Sequence, residues 1–527
     1  MKNFILKNTK LLLASAMMLS ATGCSDLKEN PDFINPTTFY QSAKELELGV
    51  NAVYDDLTMG NGDWYNHFYN RYVFECLVGY QVGWEKGPLQ YNLGNISASD
   101  DYINAYWQQC YRSIDRANNI IETADKIKDI ANADKVKRIK AEAQFLRGFY
   151  YYELVRYFDN PPLKVSSTQN YSDLPSNDGG KQKVLEQIYA DCSTAASVLP
   201  ASYSGSDVGR ATKWAAKTVL MKAQLWGQKW AEAKATSEDI INNSGLSLYA
   251  DFGSNFDIIH KNQGERIFEG QTSAKANSAE YTNNSAHFNP EDFPSDLGGA
   301  GWSWISATKD FRMSYKKSDK RIDATFIESY PTGRTAKNSK GEFPMVKWSE
   351  KADYNLSRFG GLVDPNANPN KPEELIFSKA WAGKLVELNI SSWTNTEKNT
   401  TYLRYADVLL GHSEACNESG QGDAFASINK LRDRAGLEPL RVLSQSALRD
   451  AIVDEVIHEF AFEQVGYPEL RRKSKFGGNP DYLGEYIKRY SNTYKVGRTV
   501  KAKDYVLPIP LIEIQGNPKV KQNPEWQ

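Results

Sequence analysis

The stretch from Thr401 to Gly436 is the part of the sequence that most constrains the fold. It reads TYLRYADVLLGHSEACNESGQGDAFASINKLRDRAG. Apolar and small residues recur at close to a 3.6-residue spacing from Leu403 onward, stop at residues 418–422, and then resume. The pattern predicts two antiparallel helices that are joined by a short break and end at Gly436.

A second copy of this pattern lies earlier in the chain, at residues 210–245. Its break is at residues 227–229, and alanines supply the small face of its second half. Helical hairpins of this kind are the repeating unit of tetratricopeptide-type arrays. Two ordinary amphipathic hairpins are the alternative interpretation, but two loosely matching copies favour a helical-repeat scaffold.

The remaining periodicity predicts a mostly α-helical protein with a long insertion. From 246 to 400 the helical spacing is mostly lost, and short strand-like runs stand among Gly, Asn, Pro and Ser. We therefore expect a single domain over residues 24–527, with a helical body at about 37–245 and 401–490 and a loop-rich insertion at about 246–400. Further helices are predicted near 38–57, 102–127, 134–158, 181–199 and 447–464, and residues 60–101 are predicted to be irregular.

The first 23 residues have the composition of a targeting segment. They carry three lysines and no acidic residue, followed by an apolar run at 11–19 that is too short to span a bilayer. Cys24 follows a run of small residues, and this junction resembles the lipobox of bacterial lipoproteins. The resemblance implies cleavage before Cys24 and a lipid on its sulfur. A plain secretion signal with an incidental cysteine is the alternative.

Charge and cysteine usage exclude several classes of function. The net charge is −2, and the part after residue 23 carries −5 without a long basic block, so we expect no nucleic-acid partner. The other four cysteines are scattered and form no CxxC motif, and the five histidines show no HExxH spacing. We therefore expect no metal and no cofactor.

Catalysis has little support in the sequence. No G-x-S-x-G elbow occurs. Carboxylates are abundant, however, so a glycosidase site with two paired carboxylates stays an open alternative. Glu455 and Glu459 lie one helical turn apart, but surface helices often hold such pairs by chance.

Several segments together resemble one family. With the lipobox, they follow in order at 105–125, 139–163, 210–233, 401–420, 428–437 and 505–526. They are similar to the SusD/RagB family of outer-membrane nutrient-uptake lipoproteins of Bacteroidota, which bind glycans. The resemblance implies four tetratricopeptide-type helix pairs on one face, and a second face of loops where oligosaccharide or polysaccharide binds. It also implies a surface-exposed position at the outer membrane through the lipid anchor, and a SusC-like TonB-dependent transporter as the partner on the helical side.

A glycan site needs aromatic rings that stack on sugar faces, beside polar side chains that bind sugar hydroxyls. Two aromatic, glycine-containing loops qualify, at residues 63–92 and 298–311. Trp302 and Trp304 are two apart, and alternate residues of an extended chain point the same way, so we expect both rings on one surface. The family resemblance adds Tyr80 and Trp84, which follow the segment Glu75–Leu77. Weaker aromatic candidates are Trp64, Tyr65 and Tyr91, with Arg71 and Asn92 as polar neighbours; the alternative is that some of these rings fill the core.

These observations favour a non-enzymatic glycan-binding lipoprotein that delivers its ligand to the transporter. Two other classes of function stay open on the sequence alone. One is a secreted glycosidase on a helical scaffold, and the other is a repeat protein that binds only other proteins.

Overall fold

Most of the described chain is α-helical. The structure, a computed structural model, describes residues 40–58, 70–83, 86–168, 170, 172, 174–273, 288–297, 301–333, 337, 339–349, 376–377, 380–387, 396–476, 479–491 and 498–527. The helices in these ranges are α1 (Ala43–Asp55), α2 (Asn70–Phe74), α3 (Lys86–Leu93), α4 (Asp101–Ala124), α5 (Ala133–Phe158), α6 (Gly180–Val198), α7 (Lys213–Trp226), α8 (Trp230–Asn243), α9 (Lys309–Ser314), α10 (Ile322–Thr325), α11 (Tyr405–Ser419), α12 (Ala424–Arg434), α13 (Gln445–Glu459), α14 (Gly466–Ser474), α15 (Tyr482–Tyr490) and α16 (Leu511–Gly516). Among the described helices, none is both long and apolar enough to cross a bilayer.

Short strands occupy the middle of the chain. They are β1 (Gln81–Gly83), β2 (Arg266–Gly270), β3 (Ile305–Ala307), β4 (Phe326–Ile327), β5 (Ser329–Pro331), β6 (Met345–Trp348), β7 (Ile376–Phe377), β8 (Ala380–Ala382) and β9 (Thr400–Arg404). The described strands form a four-stranded sheet in the order β1-β3-β8-β4, a three-stranded sheet in the order β5-β6-β7, and the antiparallel pair β2-β9.

Capping residues set where the main helices begin. The Ser42 hydroxyl accepts a hydrogen bond from the Glu45 amide at the start of α1. Asp100 does the same for the amides of Tyr102 and Ile103 at the start of α4. Side-chain oxygens at this position satisfy amides that have no partner inside the helix. Because the apolar residues of α1 and α4 then recur at helical spacing, each helix buries one face in the main core.

The two predicted hairpins form and pack against each other, so the helical-repeat fold is confirmed. In the first, α7 and α8 are joined through residues 227–229; in the second, α11 and α12 are joined through residues 420–423. Helix α11 packs on both helices of the first hairpin as well as on α12. Gly411 makes this close approach possible, because a Cβ atom at that position would lie 2.8 Å from Cε of Met221.

Three details of the predicted elements are wrong. Leu403 lies in β9, where it pairs with Phe268 of β2, and the helix begins only at Tyr405. The stretch from 60 to 101, expected to be irregular, contains α2, β1 and α3 in its described part. Helix α13 ends at Glu459 and does not continue to residue 464.

Buried charges join the insertion to the helical body at Glu459, the last residue of α13. Its carboxylate accepts hydrogen bonds from the guanidinium groups of Arg404, Arg434 and Arg321. Arg321 comes from the insertion, Arg404 ends β9, and Arg434 ends α12. All four side chains are at most 3% exposed, so the contact is screened from solvent. We call these four residues the charge cluster.

The charge cluster keeps Glu459 ionised. Burial alone would raise the pKa of the Glu459 carboxyl, but Arg434, Arg404 and Arg321 reverse this effect and hold the pKa well below its usual range. Desolvation offsets much of the attraction in a buried ion pair, whereas removal of one partner leaves uncompensated charge in the interior. We infer that the charge cluster fixes the position of the insertion more than it raises overall stability.

Replacement of Glu459 by Gln should therefore lower the free energy of unfolding by about 3–5 kcal/mol, as for other broken buried ion pairs. Chemical denaturation of the two proteins measures this difference. Asp125→Asn is the matched control, because Asp125 pairs with Lys140 while 66% of its side chain is exposed; a surface pair contributes about 0–1 kcal/mol. Equal losses in the two variants would contradict the argument.

The difference in free energy of unfolding between the wild type and Glu459→Gln should depend on pH. A carboxyl whose pKa is lower in the folded state contributes stability above its unfolded-state pKa, about 4.3 for Glu, and loses it as the pH falls toward the folded-state value. The difference between wild type and Glu459→Gln should be constant from pH 7 to about 5 and shrink below about pH 4. A difference that instead grows on acidification would show that Glu459 is protonated in the native protein.

Candidate functional site

Strand pairing brings the two aromatic loops of the sequence analysis to one place. Strands β1 and β3 are antiparallel, and Gly83 pairs with Ile305. Gly83 directly precedes Trp84, and Ile305 directly follows Trp304. The described parts of the two loops, more than 200 residues apart in sequence, therefore meet where Gly83 and Ile305 pair at one end of the four-stranded sheet.

Three segments are hydrogen-bonded to one another at the stretch that precedes β3, and we call them the rim: residues 288–292, 301–304 and 330–333. Backbone bonds tie them together, from the Ser303 amide to the Asn289 carbonyl at 3.1 Å and from the Gly333 amide to the Asp292 carbonyl at 2.7 Å. The Ser303 hydroxyl also accepts a bond from the Glu291 amide at 2.8 Å. The rim is therefore a connected structure, and Trp302 is part of it.

Trp302 and Trp304 do not share a surface, so that prediction is wrong. The Trp304 side chain is 7% exposed and its ring lies 6.2 Å from that of Tyr102, whereas Trp302 is half-buried. The cause is Ser303, whose φ of 50° is in the left-handed region. The chain is not extended there, so the alternation of side chains on which the prediction depended does not apply.

Tyr80 is also a core residue and not part of an exposed platform. Its ring is fully buried and stacks on Phe311 with 4.7 Å between ring centroids. Its hydroxyl donates a hydrogen bond to the Glu75 carboxylate, which also accepts from the amides of Gly466 and Tyr467. Burial raises the pKa of Tyr80 well above its usual value, and the neighbouring Glu75 raises it further. Tyr80 therefore anchors the loop after α2 to the start of α14.

The expected exposure of Tyr91, Asn92 and Arg71 is contradicted as well, because all three are buried. The Tyr91 hydroxyl donates to Asp100 at 2.7 Å. The Asn92 amide donates to the carbonyls of Cys76 and Gln81 and accepts from the Gly83 amide, so it fastens β1 to α3. Arg71 lies 3.6 Å from the Glu153 carboxylate and over the ring of Tyr402. These polar groups are occupied in holding the fold.

Three of the predicted aromatic residues, Trp84, Trp64 and Tyr65, lie outside the described residues. Of the nine predicted ligand contacts, Trp302 alone is both described and accessible. It stays a prediction as a ligand-binding residue.

The sequence analysis missed the polar part of the rim. The Asp292 carboxylate accepts hydrogen bonds from the hydroxyls of Tyr330 at 2.9 Å and Thr332 at 2.8 Å. Asp292 and its neighbour Glu291 are both partly exposed beside the segment that holds Trp302. Carboxylates accept hydrogen bonds from hydroxyl groups, so the rim combines an accessible ring with acceptors of this kind. The sequence signal was weak, because nothing in the run Asn-Pro-Glu-Asp distinguishes it from other polar loops.

Trp348 on β6 is a second half-buried tryptophan that the sequence analysis did not select. The Arg312 guanidinium lies 5.0 Å from the centre of its ring, and Arg312 also pairs with Glu328. The cation therefore covers part of the ring and orders it. Alternation along β6, with Val346 buried and Met345 and Lys347 exposed, was the signal that could have placed it.

The carboxylate pair considered for glycosidase chemistry is not available for it. Glu459 is part of the charge cluster, and Glu455 accepts hydrogen bonds from Arg321 at 2.6 Å and Arg432 at 2.9 Å. Both side chains are at most 3% exposed. A general acid must instead be protonated near neutral pH and reach the substrate.

A His–Cys pair on α11 is likewise unsuited to nucleophilic chemistry. Nε2 of His412 lies 3.4 Å from Sγ of Cys416, and the Ser427 hydroxyl lies 2.9 Å from Nδ1 of the ring. Burial raises the pKa of the Cys416 thiol to about 11 and lowers that of His412. The pair is therefore a neutral thiol beside a neutral imidazole, and the four described cysteines are all buried and free.

Comparison with known proteins gives the family. The sequence profile described as "SusD family" matches residues 247–526. A second profile, described as "Starch-binding associating with outer membrane", matches residues 27–225. A relative named SusD-like protein P2, from Formosa agariphila, is 26% identical over 540 residues, which cover 96% of this chain and 97% of the relative.

Two solved structures share the fold. A SusD homolog from Bacteroides thetaiotaomicron covers 93% of this chain and 98% of its own, with a TM-score of 0.72 at 19% identity. Surface glycan-binding protein A from the same species, in complex with laminarihexaose, covers 91% of this chain and 99% of its own, with a TM-score of 0.69 at 19% identity. The likeness over nearly the whole length confirms the mostly helical, tetratricopeptide-like architecture.

The different burial of the two rim tryptophans predicts different effects of substitution. Trp304→Ala should lower the free energy of unfolding by about 3–5 kcal/mol, because it removes a buried ring and leaves a cavity. Trp302→Ala should cost much less, because part of the ring is already in water. Thermal and chemical denaturation of both variants measure this. Equal losses would mean that Trp302 is a core residue.

Proposed function

Because this chain belongs to the SusD family, we propose that it is a non-enzymatic glycan-binding lipoprotein of the outer membrane. In this proposal the protein captures oligosaccharide or polysaccharide at the rim. It then passes the sugar to a SusC-like TonB-dependent transporter that packs against its helical side.

The observation that carries the proposal is that Trp302 is partly exposed on a segment bonded to the one that carries Glu291 and Asp292. A sugar presents a flat C–H face to an aromatic ring and hydroxyl groups around its edge. Trp302 offers the ring, and Asp292, whose two oxygens already accept one hydrogen bond each from Tyr330 and Thr332, has further lone pairs for hydroxyl protons. Surface glycan-binding protein A, which shares this fold, was solved with laminarihexaose, and this supports a sugar as the ligand.

Two observations favour binding over catalysis. Glu455 and Glu459 are buried in ion pairs with arginines. Cys416 and His412 are both held neutral by burial. The glycosidase alternative would need a different carboxylate pair.

The position at the outer membrane is supported by the profile that matches residues 27–225, whose description names this membrane. Lipidation at Cys24 would provide the anchor, as the junction Gly23–Cys24 suggests. The transporter partnership is supported by the family assignment. Cross-linking from cysteines introduced on the exposed faces of α8 and α12 tests it, and cross-links to a transporter from the rim alone would contradict docking on the helical side.

Trp302→Ala should weaken glycan binding about tenfold or more. Stacking on an aromatic ring is worth ~1–3 kcal/mol by analogy with base stacking, and ~1.4 kcal/mol corresponds to a factor of ten. The measurement is isothermal titration with laminarihexaose, maltohexaose, cellohexaose and xylohexaose in turn. Trp230→Ala is the matched control, because Trp230 is half-buried on α8 and lies outside the rim.

Two results would overturn the proposed function. One is unchanged affinity of the Trp302→Ala protein for a sugar that the wild type binds. The other is release of new reducing ends when the wild type is incubated with laminarin, starch, cellulose or xylan, because that would show hydrolysis.

Cys24→Ala should abolish incorporation of a fatty-acid analogue during expression in a bacterium that processes lipoproteins. The thioether to the lipid forms only at this sulfur. Undiminished labelling of the variant would show that the anchor lies elsewhere, and absence of labelling in the wild type would show that the first 23 residues act as a plain secretion signal.

A further inference from the structure

A polar trough that shares no residue with the rim lies where the connection between α6 and α7 meets α1 and β2. It consists of two adjoining clefts of about 300 Å³ and 220 Å³, and Val208, Gly209 and Arg210 line both. Together the clefts reach the size of small-molecule sites, which is roughly 300–1,000 Å³.

The floor of the trough is built from a tight contact between two loops. Gly209 has a φ of 98°, and a Cβ atom there would lie 2.7 Å from Cδ of Gln271. Gln271 is held in turn by Asn262, because the two side-chain amides exchange hydrogen bonds of 2.6 and 2.8 Å. Asn262 itself has a φ of 56°. Two left-handed residues and a reciprocal amide pair thus fix the close contact between the two loops, which a side chain at residue 209 would disrupt.

The charged residues that line the trough are Arg210, Arg266, Asp55 and Glu269, and Arg266 already pairs with Glu269 at 3.2 Å, so the lining favours an uncharged ligand with many hydroxyl groups. The Arg210 guanidinium is already paired with two carboxylates, because it donates hydrogen bonds to Asp207 at 2.8 Å and to Glu142 at 3.0 Å. A phosphate or carboxylate would have to compete with these carboxylates. Much of the remaining lining consists of amides and hydroxyls, which both donate and accept hydrogen bonds: Asn51, Ser202, Ser206, Asn262, Gln263 and Gln271.

Aromatic side chains complete the walls. Tyr54 lines one cleft, and Tyr203 and Trp214 line the other. The Lys213 ammonium lies 4.3 Å from the centre of the Trp214 ring. The phenolic oxygen of Tyr203 is shielded from solvent and has no hydrogen-bond partner among the described residues. A buried hydroxyl of this kind gains from a ligand that supplies the missing bond.

We propose that the trough is a second saccharide-binding site, which takes a neutral segment of a glycan chain. This inference rests on the proposed function, because it assumes that glycan is the ligand of the protein. The second site would raise the avidity for long polysaccharides, since a chain bound at one site is held at high local concentration near the other.

The test is isothermal titration with the same four hexasaccharides, with the number of sites per chain as the main readout. Val208→Trp should fill the trough from the surface, because Val208 is 45% exposed and lines both clefts. Tyr203→Phe removes one hydroxyl with little change of shape and should weaken the second site roughly three- to tenfold. Ile130→Trp is the control, because Ile130 is 90% exposed and lines neither cleft.

The inference predicts two sites in the wild type and in Ile130→Trp, one site in Val208→Trp, and in Trp302→Ala one unchanged site beside one that is weakened about tenfold or more. If the wild type has one site that Trp302→Ala weakens and Val208→Trp keeps, the trough proposal is overturned and the rim stands. If the single site is lost in Val208→Trp and kept in Trp302→Ala, the trough stands and the rim proposal is overturned. Absence of binding by the wild type to all four sugars would count against both.

Discussion

The carboxylate of Glu459 is the contact on which the arrangement of the two halves of this protein depends. Glu459 is the last residue of α13. Its carboxylate accepts hydrogen bonds from Arg321 of the insertion, Arg404 of β9 and Arg434 of the second hairpin. The three arginines also pair with Asp319, Glu455, Glu463 and Glu265. Moving the insertion would separate several of these buried pairs in a medium of low dielectric, which costs more than a shift of an apolar contact.

The position of the rim follows from this geometry. Arg321 directly precedes α10, which leads into β4, and β4 joins β8 and β3 in the four-stranded sheet. At the end of that sheet β3 meets the segment that contains Trp302. The chain therefore runs from the charge cluster through hydrogen-bonded strands to the rim. Binding groups on loops need such a rigid support, since ordering a loop upon binding would reduce affinity.

Much of the helical body could be predicted from sequence, because its signals are local. The apolar spacing of α1, the break at residues 227–229 and the cap at Asp100 each reflect contacts within a few residues. Leu403 was misassigned because it continues the helical spacing backward from Ala406, while its real partner is Phe268 in a distant strand. Pairing of that kind leaves no local mark on a five-residue strand.

The binding surface could be predicted only in part, for a related reason. Glycine-rich loops favour exposed aromatic rings, yet Tyr80 and Tyr91 are buried, because β1 pairs with β3 and α3 packs on β1. Ser303 has a left-handed backbone, which separates Trp302 from Trp304. Neither the serine nor its sequence neighbours predict that conformation. The sequence therefore pointed to aromatic loops, whereas which of their rings are exposed depended on tertiary contacts.

Hydrogen exchange of the wild type and Glu459→Gln under native conditions tests most directly whether buried charge holds the insertion in place. The account predicts faster exchange of backbone amides in residues 305–331 and 400–404 of the variant, with α4 and α5 exchanging as in the wild type, because the insertion would open without unfolding the helical body. Unchanged exchange in those strands, or equal acceleration in α4 and α5, would contradict it.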